Sequence, residues 1–451
     1  MATTDSPVPG LDAAGSAVLP SDALSGDDWR RAHDELVDHL RELIRIPSVN
    51  PPPEPGDGEL RAARFIAELL GDAGVPAEIL EPTPGRGSVV ARLHGDGSGG
   101  DPLLLLSHVD VVPAAGDGWT HDPFAADVAE GYVWGRGAVD MKGMVAMEVG
   151  VIRRLAAEAR AAGRDPASDP IPGLTRDVLF AATADEEAGG LHGAGWIVDH
   201  RPELVRAAAA LNECGGVSVA FGNRRFYPIG VAEKGYANFR ITVRGSWGHG
   251  SMPRPDNAAV RAAAIVGRLA EPGPTRLTPA MTRFFDLVAE ELGGSTGALV
   301  RRIASPDPAE SEAAIAAVCD DMYGRAARAL LRDTVSPNVI HAGVKYNVIP
   351  GSAEIEVDCR TLPGTDLDRI LESTTRDHDP EGVPVPVMVP FATDAKHTIR
   401  LVVPTYGFSP LRLEPDERFL ERFHGVDERV GLDALRFGLP VLYDAVRRFC
   451  S

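Results

Sequence analysis

Cysteine is scarce. Only Cys214, Cys319, Cys359 and Cys450 occur in 451 residues, and none forms a C-x-x-C pair. That spacing offers neither a disulfide framework nor a thiolate zinc motif, and it fits a reducing compartment. Basic charge is short as well: 45 Lys and Arg stand against 65 Asp and Glu, a net charge of −20. So acidic a surface repels phosphate backbones and anionic lipid, which argues against nucleic acid and membrane as partners. No apolar run is long enough to span a bilayer. Residues 1–26 are rich in Pro, Gly, Ser and Asp and lack the basic start and apolar core of a signal peptide, so a flexible tail and a cytoplasmic protein are expected. No internal repeat of solenoid period is present.

What is there is ordinary for a globular protein, 44% hydrophobic and 24% charged. The length exceeds one compact core and predicts two domains. From Asp27 the spacing of Leu36, Leu40, Leu43 and Ile44 predicts a helix, with Ser25 and Asp28 as a capping box. The run SVNPPPEPGDG breaks it, and a second helix is expected over Glu59–Leu70. Strands are expected at Ser88–Leu93, Leu103–Val112, Val178–Ala182 and Ala208–Leu211, with a helix over Gly143–Ala159. Such alternation predicts an α/β layer around a largely parallel sheet, whose ligands bind beyond the carboxyl ends of the strands.

Near Glu233 the pattern changes. NFRITVRG alternates Phe239, Ile241 and Val243; a loop, a helix over Ala258–Leu269 and the strand pair NVIHAGVKYNVIPGSAEIEVDCR follow. With a helix at Asp366–Thr375 and the strand VPVPVMV, the order is that of an α+β ferredoxin-like module. The expected organisation is a catalytic domain from 27–232 and 392–451, ending in a helix at Pro440–Phe449, with an inserted domain at 233–391. Residues 271–331 read as an extra helical insertion.

The chemistry gathers at strand ends. LLLLSHVDVVPA ends an apolar run in His108 and Asp110, which would share one face of an extended strand. Alone, such a pair is most often surface polarity. Asp140 in GRGAVDMKG is equally an N-cap or a carboxylate able to bridge two cations. In ATADEEAGG, Asp185, Glu186 and Glu187 follow an apolar strand, where adjacent carboxylates repel unless compensated. One glutamate could bind metal while its neighbour acts as base. Glu213 in NECGG repeats the pattern, and His249 in GHGSMP and His424 in FHGVDERV read singly as loop or solvated residues. Jointly, His108, Asp140, Glu187, Glu213 and His424 suit two Zn²⁺ ions sharing one carboxylate, with Co²⁺ or Mn²⁺ as substitutes.

SHVDVVP, GRGAVDMKG, ATADEEAGG, NECGG, GHGSMP, NVIPGSAEIEVDCR and HGVDERV, in this order, resemble the dinuclear zinc family of aminoacylases, acetylornithine deacetylases, succinyl-diaminopimelate desuccinylases and carboxypeptidase G-type enzymes. The resemblance runs from about Leu36 to the C-terminus. It implies a zinc-binding α/β catalytic domain with an inserted ferredoxin-like lid, two Zn²⁺ per subunit, and hydrolysis of an amide in a small carboxylate-bearing substrate. It implies His108 and Glu213 on one zinc, Glu187 and His424 on the other, and Asp140 bridging. Asp110 would orient His108, Glu186 would be the general base, and His249 would stabilise the oxyanion, in many members across a dimer interface. Asn347 and Arg360 match lid residues that contact substrate, Arg360 gripping its carboxylate. The segment before NVIHAGVKYN makes the lid longer than in minimal members, and some members carry Asp at the position of Glu213. The implied substrate is an N-acyl amino acid or a short peptide, and a homodimer through the lid is the family's common arrangement. The rival readings are a dinuclear zinc aminopeptidase, which needs a feature to hold a free α-amine, and a non-catalytic binding protein, which would lack a ligand or the base.

Overall fold

Strands buried on both faces read as unbroken apolar runs, and three such runs build the centre of the largest sheet. The computed structural model describes residues 25–51, 56–114, 118–222, 224–236, 239–271, 275–319, 321–362, 381–390, 392–415 and 417–451. The principal strands are β1 (Ala77–Thr83), β2 (Arg86–Leu93), β3 (Leu103–His108), β4 (Val178–Thr183), β5 (Ala209–Asn212), β6 (Val219–Phe221) and β7 (Arg224–Glu233). They continue with β8 (Phe239–Arg244), β9 (Thr334–Ala342), β10 (Ser352–Thr361), β11 (Gly382–Val389) and β12 (Thr405–Gly407).

Every residue of β3, β4 and β5 is buried. The nine-stranded sheet runs β1-β2-β4-β3-β5-β12-β7-β11, with β6 also on β7. The four central strands β4, β3, β5 and β12 are parallel, β2 and β7 join them antiparallel, and β1 pairs antiparallel with β2. Helices cover both faces. On one lie α1 (Gly26–Arg45), α2 (Gly58–Asp72), α3 (Lys142–Ala161) and a terminal helix, Leu432–Cys450. On the other, Leu104 and Leu106 of β3 pack with Ile197 and Val198 of α4 (Ala194–His200). The capping box of α1 forms as expected, Asp28 N donating to Ser25 Oγ at 3.1 Å and Ser25 N to Asp28 Oδ2 at 3.2 Å. Leu36, Leu40, Leu43 and Ile44 are all fully buried.

Two boundaries differ from the sequence expectation. The strand expected to reach Val112 stops at His108, because Val111 N bonds to Ser48 O and the chain leaves the sheet to bridge Val49. His108 and Asp110 therefore do not share a strand face. The terminal helix begins at Leu432, eight residues before Pro440. Its buried Leu435 and Leu439 outweigh the backbone bond the proline removes.

The chain divides into two compact units, the second comprising 231–366 and 386–392. In the second, β8, β10 and β9 form an antiparallel sheet in that order. On it packs α5 (Ala258–Leu269), with Val243, Ile355 and Val357 in its core. Of the alternating trio, Val243 is buried and Ile241 packs beside it, whereas Phe239 is exposed. Among its described residues, the 271–331 insertion holds four helices, α6 (Pro279–Leu292), α7 (Gly294–Ile303), α8 (Pro308–Val318) and α9 (Asp321–Leu330). The helix expected at Asp366–Thr375 lies outside the described residues. The VPVPVMV strand, expected to close the ferredoxin-like sheet, instead lies beside β7 as β11. Among the described residues no helix is long and apolar enough to cross a membrane.

Candidate metal centre and active site

The parallel strands deliver their polar residues to one end of the sheet, where ligands bind in such folds. His108 is the last residue of β3, Glu186 and Glu187 form a 3₁₀ turn after β4, and Glu213 follows β5. Asp140 precedes α3, and His424 sits in the loop before the terminal helix. Five residues expected to meet do so. Asp140 Oδ1 lies 3.2 Å from His108 Nε2 and Asp140 Oδ2 lies 3.3 Å from His424 Nε2. Glu213 Oε1 is 3.7 Å from His108 Nε2, and Glu187 Oε2 is 3.1 Å from His424 Nε2. One carboxylate thus faces two imidazoles, each backed by a further carboxylate.

This arrangement fits two divalent cations. Bonds of 2.0–2.1 Å in a tetrahedron put neighbouring donor atoms roughly 3.3 Å apart, close to the separations here. Glu187 Oε1 is buried without a hydrogen-bond partner. Burial and the Asp140 charge push Glu213 up to about 8, and burial pushes Glu187 up to about 7. Asp140 and Glu187 raise His424 to about 10. Burial lowers the basicity of His108, but Asp110, Asp140 and Glu213 more than reverse it. Burial likewise opposes ionisation of Asp140, yet the two imidazoles hold it well below the usual range. Side chains so placed would give up their protons to a bound cation.

Asp110 is fully buried and does more than face His108. Its backbone carbonyl is 3.0 Å from His108 Nδ1 and its carboxylate 3.4 Å. The same carboxylate accepts from the amides of Glu186 and Glu187, each at 3.1 Å, and from Asn50 Nδ2 at 2.8 Å. It therefore seats the whole Glu186–Glu187 turn. Asp185 before this turn, Cys214 after Glu213 and His424 itself have positive φ, a conformation non-glycine residues seldom adopt.

Three supporting groups carried no sequence signal. The acidic pair after His424 reads as solvated, but Glu428 is fully buried. It pairs with Arg136 at 2.5 Å and accepts from Val139 N and Asp140 N, holding the backbone of the shared carboxylate. Asn50 arrives from the Pro-rich break after α1. Lys396 sits on the one-turn helix Ala395–Thr398, its Nζ 2.7 Å from Glu186 Oε1.

In the second unit, Gly248–His249 pairs with Val348–Ile349, so His249 and Asn347 come together. Ser251 N donates to His249 Nδ1, which leaves the proton of a neutral ring on Nε2, ready to donate. Asn347 Oδ1 is buried without a partner. Arg360 stands toward the other end of β10, its fork on Asp358 at 2.9 and 3.0 Å.

A doubly wound sheet whose strand ends gather two histidines and two glutamates around a shared aspartate, with a third glutamate beside them, defines a metal-dependent hydrolase. The chain belongs to peptidase family M20/M25/M40, whose model matches residues 104–448, and it hydrolyses amide or peptide bonds. It is 26% identical to aminoacylase-1 of Sus scrofa over 92% of this chain and 98% of the relative. It is also 26% identical to the N-fatty-acyl-amino acid synthase/hydrolase PM20D1 of Xenopus tropicalis, over 89% of this chain and 83% of the relative. In fold it matches an M20 family metallo-carboxypeptidase from Sulfolobus solfataricus with a TM-score of 0.67 at 16% identity, covering 92% of this chain and 99% of the other.

Proposed function

We propose that the protein is a two-zinc deacylase or carboxypeptidase acting on an N-acyl amino acid or short peptide with a free carboxylate. The observation that carries this reading is the Asp140 carboxylate facing His108 and His424, with Glu187 and Glu213 behind them and Glu186 alongside. In this reading His108, Asp140 and Glu213 hold one cation, and Asp140, Glu187 and His424 hold the other. Mixed imidazole and carboxylate donors favour Zn²⁺, with Co²⁺ or Mn²⁺ as substitutes. When bound, such ions supply Lewis acidity for the amide carbonyl and acidify a water at neutral pH. Glu186 takes that water's proton and returns it to the departing amine. His249 donates Nε2–H to the oxyanion. Asn347 and Arg360 contact substrate, whose carboxylate would displace Asp358 from the Arg360 fork.

A panel of N-acetyl amino acids, N-fatty-acyl amino acids and dipeptides, each with its carboxyl-amidated twin and with zinc counted, tests this. Hydrolysis is expected for free carboxylates, with kcat/KM at least tenfold lower for the amides. Trimming of peptides that have a free amine and a blocked carboxylate would instead favour an aminopeptidase. No turnover by the zinc-loaded protein would favour a binding protein.

In the same reading, residues 27–232 and 392–451 form the catalytic domain and 233–391 the lid. The small acyl substrate and the acidic surface fit a cytoplasmic enzyme without nucleic-acid or membrane partners. The lid also serves as the interface of a homodimer: β9 pairs only with β10 among the described strands and exposes Val335, Val339 and Ile340. An apolar edge of this kind invites a partner. Sedimentation equilibrium is expected to show two 47.8 kDa chains per particle, and I340K to give monomers. A wild-type monomer at all concentrations would rule the dimer out.

A further inference from the structure

Glu186 and Glu187 are neighbours on one turn, with side chains only 10% and 7% exposed and both amides held by Asp110. Position alone does not make one a base and the other a ligand. Glu186 has an oxygen within 4.8 Å of ligand atoms of both His108 and Glu213, so it too could bind metal. The difference lies in what faces each carboxylate. Glu187 faces His424 and carries a buried oxygen without a partner. Glu186 faces the Lys396 ammonium at 2.7 Å. We propose that Lys396 assigns these roles: by occupying Glu186 Oε1 it withholds that carboxylate from the metals and leaves it to act as base.

The platform beneath Lys396 is built for placement. Thr393 Oγ1 accepts from Asn212 Nδ2 at 3.0 Å, at the end of the strand that precedes Glu213. Asp394 Oδ2 accepts from Thr183 Oγ1 at 2.6 Å, at the end of the strand that precedes Glu186 and Glu187. His397 Nε2 reaches Gly189 O at 2.9 Å, on the far side of the same turn. The chain passes so close here that a Cβ on Gly190, which has φ +74, would lie 2.5 Å from Asp394 Oδ1. The helical turn that carries Lys396 is thus tied to both strand ends that supply glutamates, which places the lysine stem beside Glu186. An ammonium and a metal ion compete for the same carboxylate lone pairs and repel each other. Holding one therefore disfavours the other. Lys396 is a positioning residue, since it acts through Glu186.

This rests on Glu186 being the base, and the test separates the two claims. The holoenzyme and its K396M, K396R and E186Q variants, with the double variant K396M/E186Q, are compared by steady-state kinetics, metal content and the visible spectrum after loading with Co²⁺ alone. K396M is expected to lose about 100-fold in kcat with little change in KM, as for a misplaced catalytic group. It keeps two metals per chain, shifts the Co²⁺ spectrum as Glu186 joins the coordination shell, and resists chelation about tenfold better. The spectral shift disappears in K396M/E186Q, and K396R restores the wild-type spectrum and most of kcat. A wild-type spectrum and kcat in K396M, or loss of metal from both K396M and K396R, would overturn the proposal. Undiminished kcat in E186Q would sink the base assignment itself, whereas an inactive E186Q beside a normal K396M sinks only the role of Lys396.

Discussion

Glu186→Gln is expected to lower kcat by about 10²–10⁴-fold, the usual contribution of a positioned general base, while metal content and fold stay as in the wild type. The amide keeps the size of the side chain and an oxygen that can accept from Lys396, and Asp110 holds the turn through its backbone amides, so the turn has no reason to move. It cannot take a proton from water. KM should change little, because the lost group acts on the reacting water rather than on substrate recognition. Stopped assays alongside metal analysis check this, and full turnover by a metal-replete E186Q would remove Glu186 from the mechanism.

Metal removal is expected to abolish activity and to make stability pH-dependent. Cations bound a thousandfold above their Kd stabilise by about 4 kcal/mol, and chelation forfeits that. The remaining cluster then responds to protons. Glu187 and Glu213, raised from 4.5 to about 7 and about 8 by burial, keep protons in the folded chain that the unfolded chain has released, so folding is increasingly penalised as pH rises through that range. His424, raised from 6.5 to about 10 by Asp140 and Glu187, contributes stability that is complete below 6.5 and lost on the way to about 10. Both slopes point downward with pH. Between about pH 6 and about pH 9 the Tm of chelated protein should fall while that of metal-loaded protein stays flatter, because the cations do the work of the protons. A Tm of the chelated form that rises with pH over this window would contradict the assignment of these residues to one cluster.

The candidate ligand positions were legible for a local reason. His108, Glu187 and Glu213 each follow an apolar run that can only be a buried strand, and a buried strand's polar terminus must meet something. The residues that hold them were not legible. Asn50, Glu428 and Lys396 come from segments 60, 288 and 210 residues away from their partners Asp110, Asp140 and Glu186, and no local pattern records such a meeting. Glu428 even mimics a solvated charge, since only Arg136 and two amides explain its burial. The strand order failed similarly: VPVPVMV is plainly a strand, but its alternation fits any edge of suitable burial.

By itself, then, the sequence determined the α/β class, the candidate metal-ligating side chains and, through their order, the resemblance to a hydrolase family, because each depends on spacing along the chain. Only the tertiary structure decided that β3 stops at His108, that Asp110 seats the turn bearing both glutamates, and that an ammonium faces Glu186 but not Glu187. Those depend on which distant backbone groups and charges need a partner in the same buried space, and that need is settled only when the segments meet.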